Sequence, residues 1–150
     1  DNLGSYAVLL MALCRRGGDV GPLIERADDC FRSAVEFAPE NAAHAANYAI
    51  FLGNVRCDLS ASEEMFNKAL TQEPGQAEWW LNYAHLLETA VQDDARAEEA
   101  FSKAIEASGG QDARMLSSYA LFRARTHEDD LDENRALFQR AVDADPQCAQ

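Results

Sequence analysis

The chain has 150 residues, of which 47% are hydrophobic and 26% charged, a composition that excludes disordered and collagen-like classes and fits one globular domain. Lysine and arginine number 13 against 26 aspartates and glutamates, so the formal charge is −13. Because this charge repels phosphates and anionic lipids, we expect neither nucleic acid nor a membrane as partner. The longest apolar stretch, residues 6–14, is about half of the roughly 20 residues that cross a bilayer.

Apolar residues recur at spacings of three and four along the whole chain, which predicts helices throughout and an all-α fold. In chain order the predicted helices are 2–16, 22–38, 41–55, 60–72, 76–91, 93–107, 111–126 and 130–144. Pro39, Pro74, Gly109 and Pro146 follow helix ends, where proline and glycine stop a helix. Ser60 with Glu63, and Asp130 with Glu133, have the spacing of capping boxes.

Two motifs repeat in step at intervals of about 35 residues, the first interval of one series being about seven residues longer. One is Tyr-Ala, beginning at Tyr6, Tyr48, Tyr83 and Tyr119; the other is a phenylalanine followed three residues later by alanine, at Phe31, Phe66, Phe101 and Phe138. The period pairs the helices into four antiparallel hairpins, 2–39, 41–74, 76–109 and 111–146, within a single array over 1–150. We expect the alanines to let paired helices approach closely and the phenylalanines to fill the space between them. Since the chain begins at Asp1, we also expect it to be a piece of a longer protein.

The third hairpin carries the pattern most completely, with Trp80, Tyr83-Ala84 and Leu87 on its first helix and Ala97, Phe101 and Ala104 on its second. This pattern resembles the tetratricopeptide repeat (TPR) family. The resemblance implies an α-solenoid of four helix-turn-helix repeats forming a right-handed superhelix. Ser62 and Asn134 stand where the family has alanine, and we expect them to weaken packing locally.

In the TPR family the first helices line a concave groove that binds peptides, and the resemblance implies which residues line it here. The candidate groove residues are Val8, Asn47, Ile50, Asn54, Asn82, His85, Leu121 and Arg125. Asn47 and Asn82 can donate to and accept from a peptide backbone at once. The charges of the lining nearly cancel, whereas most acidic residues, including Asp28 and Glu98, fall on second helices. We expect those residues to form a solvated outer face.

No residue pattern in the sequence points to catalysis or to a cofactor. His44, His85 and His127 are isolated, and the four cysteines form no Cys-x-x-Cys pair. No glycine-rich loop is followed by lysine, as phosphate binding would require. We therefore predict a non-catalytic protein without metal or cofactor. Its thiols would be reduced, in an intracellular and cytoplasmic setting.

The sequence thus favours a protein–protein interaction module that binds a peptide or helix of a partner protein in a near-neutral groove. One alternative is a structural scaffold that assembles end to end with itself or with adjoining repeats, through apolar residues of the last helix such as Leu137 and Val142. A second alternative is an RNA-processing helical-repeat protein. The acidic charge argues against that reading, since RNA readers need basic surfaces.

Overall fold

The computed structural model describes residues 21–145, and every regular element within them is helical. The helices are α1 (Gly21–Phe37), α2 (Ala42–Phe51), α3 (Leu59–Gln72), α4 (Ala77–Leu86), α5 (Asp94–Ala107), α6 (Ala113–Thr126) and α7 (Leu131–Ala144). Two of them, α2 and α4, continue into π-helical turns at Leu52–Arg56 and Leu87–Val91. With these turns included, the predicted bounds are correct to within two residues, and the all-α prediction is confirmed. The predicted helix 2–16, the groove residue Val8 and the stop at Pro146 lie outside the described residues.

The chain divides into two compact units, unit 1 (Asp1–Glu73) and unit 2 (Pro74–Gln150). In the described part of unit 1, α1 packs on α2 and α2 pairs with α3. In unit 2, α4 pairs with α5, α5 packs on α6, and α6 pairs with α7. The short connections make each pair a helical hairpin. The exact extent of each repeat stays a prediction.

The alanines of the Tyr-Ala motif in the described chain, together with Phe31, Phe66 and Phe101, form the core. The expectation that the repeated phenylalanine fills its hairpin is wrong for Phe138, which is 38% exposed because no further helix of the described chain packs over it. Ala49, Ala84 and Ala120 are completely buried, as close approach of paired helices requires. Phe101 is also completely buried. Its ring centroid lies 5.3 Å from that of His85 in its own hairpin and 5.1 Å from that of Phe122 in the next hairpin. The repeated phenylalanine therefore joins successive hairpins, in addition to the predicted role inside one.

The two π-helical turns end in the same way. Cys57 and Gln92 follow them with φ of 56° and 60°, the left-handed conformation that reverses a chain after a helix. Asp58 and Asp93 come next and cap α3 and α5, their carboxylates accepting from backbone amides at distances of 3.1 Å. The same local device thus closes both hairpins.

Both predicted capping boxes are wrong. Ser60 lies inside α3, because Asp58 two residues earlier already caps that helix. Asp130 stands at the start of α7, but its side chain makes no capping hydrogen bond. Its carboxylate lies 3.2 Å from the Arg123 guanidinium. Since a charged partner competes well with a backbone amide, the capping spacing alone did not decide where this carboxylate binds.

The two polar residues at family alanine positions are buried, and each one donates a hydrogen bond. The hydroxyl of Ser62 donates to the carbonyl of Ala49 at 2.7 Å, and the amide of Asn134 donates to the carbonyl of His127 at 2.9 Å. A buried polar group with a partner costs little, so the bond offsets the expected weakening at Ser62. At Asn134 the offset is only partial, because its Oδ1 atom is buried without a hydrogen-bond partner among the described residues.

Candidate functional site

In unit 2, two ion pairs join the first helices of successive hairpins. The Glu78 carboxylate of α4 pairs with the Arg114 guanidinium of α6, and Glu88 Oε1 lies 3.2 Å from Arg125 Nη2. The two carboxylates are ten residues apart, or about 15 Å along α4 and the π-helical turn that continues it. The exposed side of α4 and α6 between these pairs is here called the first-helix face. It holds three of the predicted groove residues, Asn82, His85 and Leu121, and also Ser118, which immediately precedes Tyr119.

The Glu88 carboxylate organises one end of the first-helix face. Its Oε2 atom lies 3.4 Å from His85 Nδ1, while its Oε1 atom pairs with Arg125. Arg125 also lies 3.3 Å from Asp94 Oδ1, and its guanidinium carbon lies 5.6 Å from the centroid of the Phe122 ring. The structure thus brings together two predicted groove residues, His85 and Arg125. Both side chains are held by these neighbours, which restricts the conformations that they can adopt.

Asn82 is exposed in the middle of the face. Its Nδ2 atom donates to the backbone carbonyl of Glu78 at 2.9 Å. This bond uses one amide hydrogen and orients the side chain along α4. The second hydrogen and the Oδ1 atom are the groups that can pair with a peptide backbone.

Leu121 supplies the apolar part of the face. It lies on α6 and is 64% exposed, although most large apolar residues of the described chain are covered. One helical turn separates it from Arg125. An exposed leucine beside ordered polar groups can offer an apolar contact next to groups that form hydrogen bonds.

The remaining predicted residues belong to unit 1 and are described for that unit alone. Asn47 and Ile50 lie on α2 and are half-buried, whereas Asn54 is exposed in the π-helical turn that follows α2. Val8 lies outside the described residues. The assignment of Asn47, Ile50, Asn54 and Val8 to a binding surface stays a prediction.

Sequence reasoning missed two polar clusters by treating their acids as solvated. Asp28 is only 4% exposed, and it accepts a hydrogen bond of 2.7 Å from the hydroxyl of Tyr48. Glu98 likewise accepts from the hydroxyl of Tyr119 at 3.1 Å. Both acids stand three residues before a repeated phenylalanine, and both hydroxyls belong to the Tyr-Ala motif. This shared register was the signal that could have revealed the clusters.

Two searches of the described residues bear on other classes of function. Between residues 21 and 145, no group of three or more histidines, cysteines or acidic residues is arranged to hold a metal ion. Over the same residues, no helix is both long enough and apolar enough to cross a membrane.

Comparison with known proteins identifies the fold. A crystal structure of MamA superposes with a TM-score of 0.72 at 17% identity, over 95% of this chain and 80% of that one. PilF of Pseudomonas aeruginosa superposes with a TM-score of 0.71 at 18% identity, over 96% of this chain and 61% of that one. Both are TPR proteins, so the predicted TPR fold is confirmed. No family model matches the sequence. No curated protein sequence matches it either.

Proposed function

We propose that this chain is a non-catalytic protein–protein interaction module that binds a peptide or helix of a partner protein on the first-helix face. The observation that carries the proposal is the exposed Leu121, flanked by two ion pairs that join α4 to α6. An exposed leucine on a face ordered in this way is an anchor that needs no rearrangement to bind. The TPR fold supports the proposal as an architecture of interaction modules.

The chemistry of the face defines the ligand. Glu78 with Arg114, and Glu88 with Arg125, largely cancel each other's charge, so the face is far less acidic than the chain as a whole. The ligand therefore needs no basic charge: an apolar side chain would cover Leu121 while the backbone pairs with the Asn82 amide. An extended segment of about four or five residues spans the roughly 15 Å between the ion pairs.

A peptide-array screen followed by calorimetry tests this function. We expect Leu121→Ser and Asn82→Ala each to weaken a selected peptide about tenfold or more, as loss of an anchor does. Leu131→Ser is the matched control, because Leu131 on α7 is 70% exposed, much like Leu121. Equal loss in Leu121→Ser and Leu131→Ser would contradict the proposal. Asn47→Ala tests separately whether the unit 1 residues Asn47, Ile50, Asn54 and Val8 contribute to peptide binding.

End-to-end self-assembly is the second candidate function, and the exposure of α7 favours it. Phe138 and Val142 are 38% and 40% exposed, whereas Leu137, also expected at this end, is 7% exposed and belongs to the core. Val142 rather than Leu137 is therefore the position for a polar probe. Sedimentation velocity over a concentration series separates the two functions. A monomer at all concentrations fits the peptide-binding module, and a dimer that Val142→Ser dissociates fits the scaffold.

The remaining expectations are also part of this proposal. We propose a protein partner rather than a nucleic acid or membrane, because a charge of −13 opposes binding to phosphates. We propose an intracellular, cytoplasmic setting, supported by Cys30 and Cys57, which are free and exposed as thiols in a reducing compartment commonly are. Neither metal nor cofactor enters the proposed function.

A further inference from the structure

One side of α7 carries an exposed row of side chains at helical spacing. Leu131, Arg135, Phe138 and Val142 follow one another at steps of four, three and four residues, which places them on one face of the helix. This row is here called the α7 stripe. Leu131 is 70% exposed, Phe138 38% and Val142 40%, and Arg135 is exposed as well.

The chain itself shows how such a stripe is covered. The equivalent row on α1 is Ile24, Asp28, Phe31 and Val35. There α2 covers Phe31 to 1% exposure, with the Phe31 ring centroid 5.9 Å from that of Tyr48 and 5.0 Å from that of Phe51. Val55 packs against the same cluster. The covering helix thus presents apolar residues at positions i, i+3 and i+7.

In unit 2 the equivalent row on α5 is covered in the same way. The Phe101 ring centroid lies 6.0 Å from that of Tyr119 and 5.1 Å from that of Phe122. In both units, therefore, a tyrosine and a phenylalanine of the next helix cover the phenylalanine of the row. On α7 the equivalent phenylalanine, Phe138, keeps more than a third of its surface exposed.

The second residue of each row is polar or charged, and it indicates which charge the covering helix carries opposite it. On α1 the position holds Asp28, which meets the Tyr48 hydroxyl and, at 3.5 Å, the guanidinium of Arg56. On α5 it holds Glu98, which meets the Tyr119 hydroxyl and, at 2.9 Å, the guanidinium of Arg123. An acid on the stripe is thus matched by an arginine from the covering helix. On α7 the position is Arg135, so the charge is reversed.

We infer that the α7 stripe binds an amphipathic helix of a partner protein that carries aromatic or large apolar residues at i, i+3 and i+7 and an aspartate or glutamate facing Arg135. A second copy of this chain cannot offer α2 or α6 to the stripe, because the apolar faces of these helices already pack on α1 and α5 of their own chain. An exposed arginine on the stripe is best matched by an acid on the covering helix, which favours an acidic partner helix. This surface is separate from the first-helix face.

The covering helix α2 supplies the probe for the test. Two peptides of residues 41–56 are made, one with the chain's own sequence and one with Arg56→Glu, both crosslinked between positions 43 and 47 because short isolated helices are marginal in water. Each is titrated against the full chain by fluorescence polarisation. We expect the Arg56→Glu peptide to bind about tenfold more tightly than the unchanged peptide. The substitution replaces a repulsive contact with Arg135 by an attractive one, and each contact changes the dissociation constant by up to roughly fivefold. The difference should shrink at high salt.

A charge exchange on the protein makes the test specific. Arg135→Glu should reverse the preference between the two peptides, whereas Arg140→Glu, on the same helix but outside the stripe, should leave it unchanged. Phe138→Ser should remove binding of both peptides, and Leu121→Ser should affect neither, which separates this surface from the proposed peptide-binding face. Circular dichroism checks that each variant remains folded. The inference is overturned if the two peptides bind equally, if Arg135→Glu does not reverse the preference, or if the stripe forms a dimer of the chain that Phe138→Ser dissociates.

Discussion

The contact between α1 and α2 in unit 1 and the contact between α5 and α6 in unit 2 share one aromatic geometry but differ in their polar part. In unit 1 the ring centroids of Phe31, Tyr48 and Phe51 are separated by 5.9, 5.0 and 6.4 Å. In unit 2 the corresponding separations are 6.0, 5.1 and 6.4 Å. The acid beside the aromatic rings differs, because the side chain of Asp28 is 5% exposed and that of Glu98 is 30% exposed.

The arginines that meet these acids come from different places. Asp28 is paired with Arg32 on its own helix at 3.1 Å and with Arg56 beyond the π-helical turn. Glu98 is paired with Arg123, one helical turn after the tyrosine. The repeat pattern therefore determines the apolar contact, while the local surroundings select the charges. If so, substitutions of the shared aromatic residues should have similar effects in the two units, and substitutions of the acids should have different effects.

The largest effect is expected from the aromatic triangles. Phe31→Ala and Phe101→Ala should each lower the free energy of unfolding by about 3–5 kcal/mol, because both rings are buried and their loss leaves a cavity. Phe138→Ala, at the equivalent but exposed position, should cost only about 1 kcal/mol. Urea denaturation measures all three. Clearly different losses for Phe31→Ala and Phe101→Ala would contradict their shared geometry, and an equal loss for Phe138→Ala would contradict the effect of burial.

The acids should differ by a smaller amount. Asp28→Asn should cost about 2 kcal/mol, since a buried charge-assisted hydrogen bond from Tyr48 is weakened. Glu98→Gln should cost about 1 kcal/mol. The loss is smaller because Arg123 would still be paired with Asp130 and Glu133, whose carboxylate oxygens lie 3.2 and 2.5 Å from its guanidinium. Denaturant midpoints of the two variants give the comparison. A larger loss of stability in Glu98→Gln than in Asp28→Asn would show that burial of the acid does not determine the size of the loss.

A third contrast lies inside the hairpins. Ser62 in unit 1 and Ala97 in unit 2 are equivalent and both fully buried, but only Ser62 can donate to a carbonyl. Ser62→Ala should cost about 1 kcal/mol by removing the bond to Ala49. Thermal unfolding followed by circular dichroism detects this loss. An unchanged midpoint would mean that the serine contributes only its volume.

The smallest effect concerns alkaline pH. Burial, and then the hydrogen bond to Asp28, raises the pKa of Tyr48 above its ordinary value of 10.0. A raised pKa in the folded state contributes stability that is complete below the unfolded pKa and is lost as pH rises through the folded pKa. We therefore expect stability to fall as the pH rises above about 10 and through the raised folded-state pKa of Tyr48, and to fall less in Tyr48→Phe. Absorbance at alkaline pH follows the phenolate directly, and identical profiles for the two proteins would contradict the shift.

Much of the fold and part of the candidate site could be predicted from the sequence. The helix bounds followed from apolar spacing and from prolines and glycines, which act locally. The exposure of Leu121 and Asn82 followed from their positions beside the Tyr-Ala motif. The pairing of His85 and Arg125 through Glu88 could not be foreseen, because Glu88 and Arg125 are distant in sequence and meet only when α4 and α6 pack.

The amino-acid sequence by itself determined the helices, their pairing into hairpins and the small and aromatic residues that pack between them, because periodicity and helix-stopping residues are read within a few turns of chain. The tertiary structure decided which charges are buried and which partners they have. Asp28 and Glu98 look alike in sequence to acids that face water, yet each is covered by a helix whose tyrosine lies about 20 residues further along the chain. The electrostatics of a side chain depend on what packing brings near it, and periodicity alone carries no record of that.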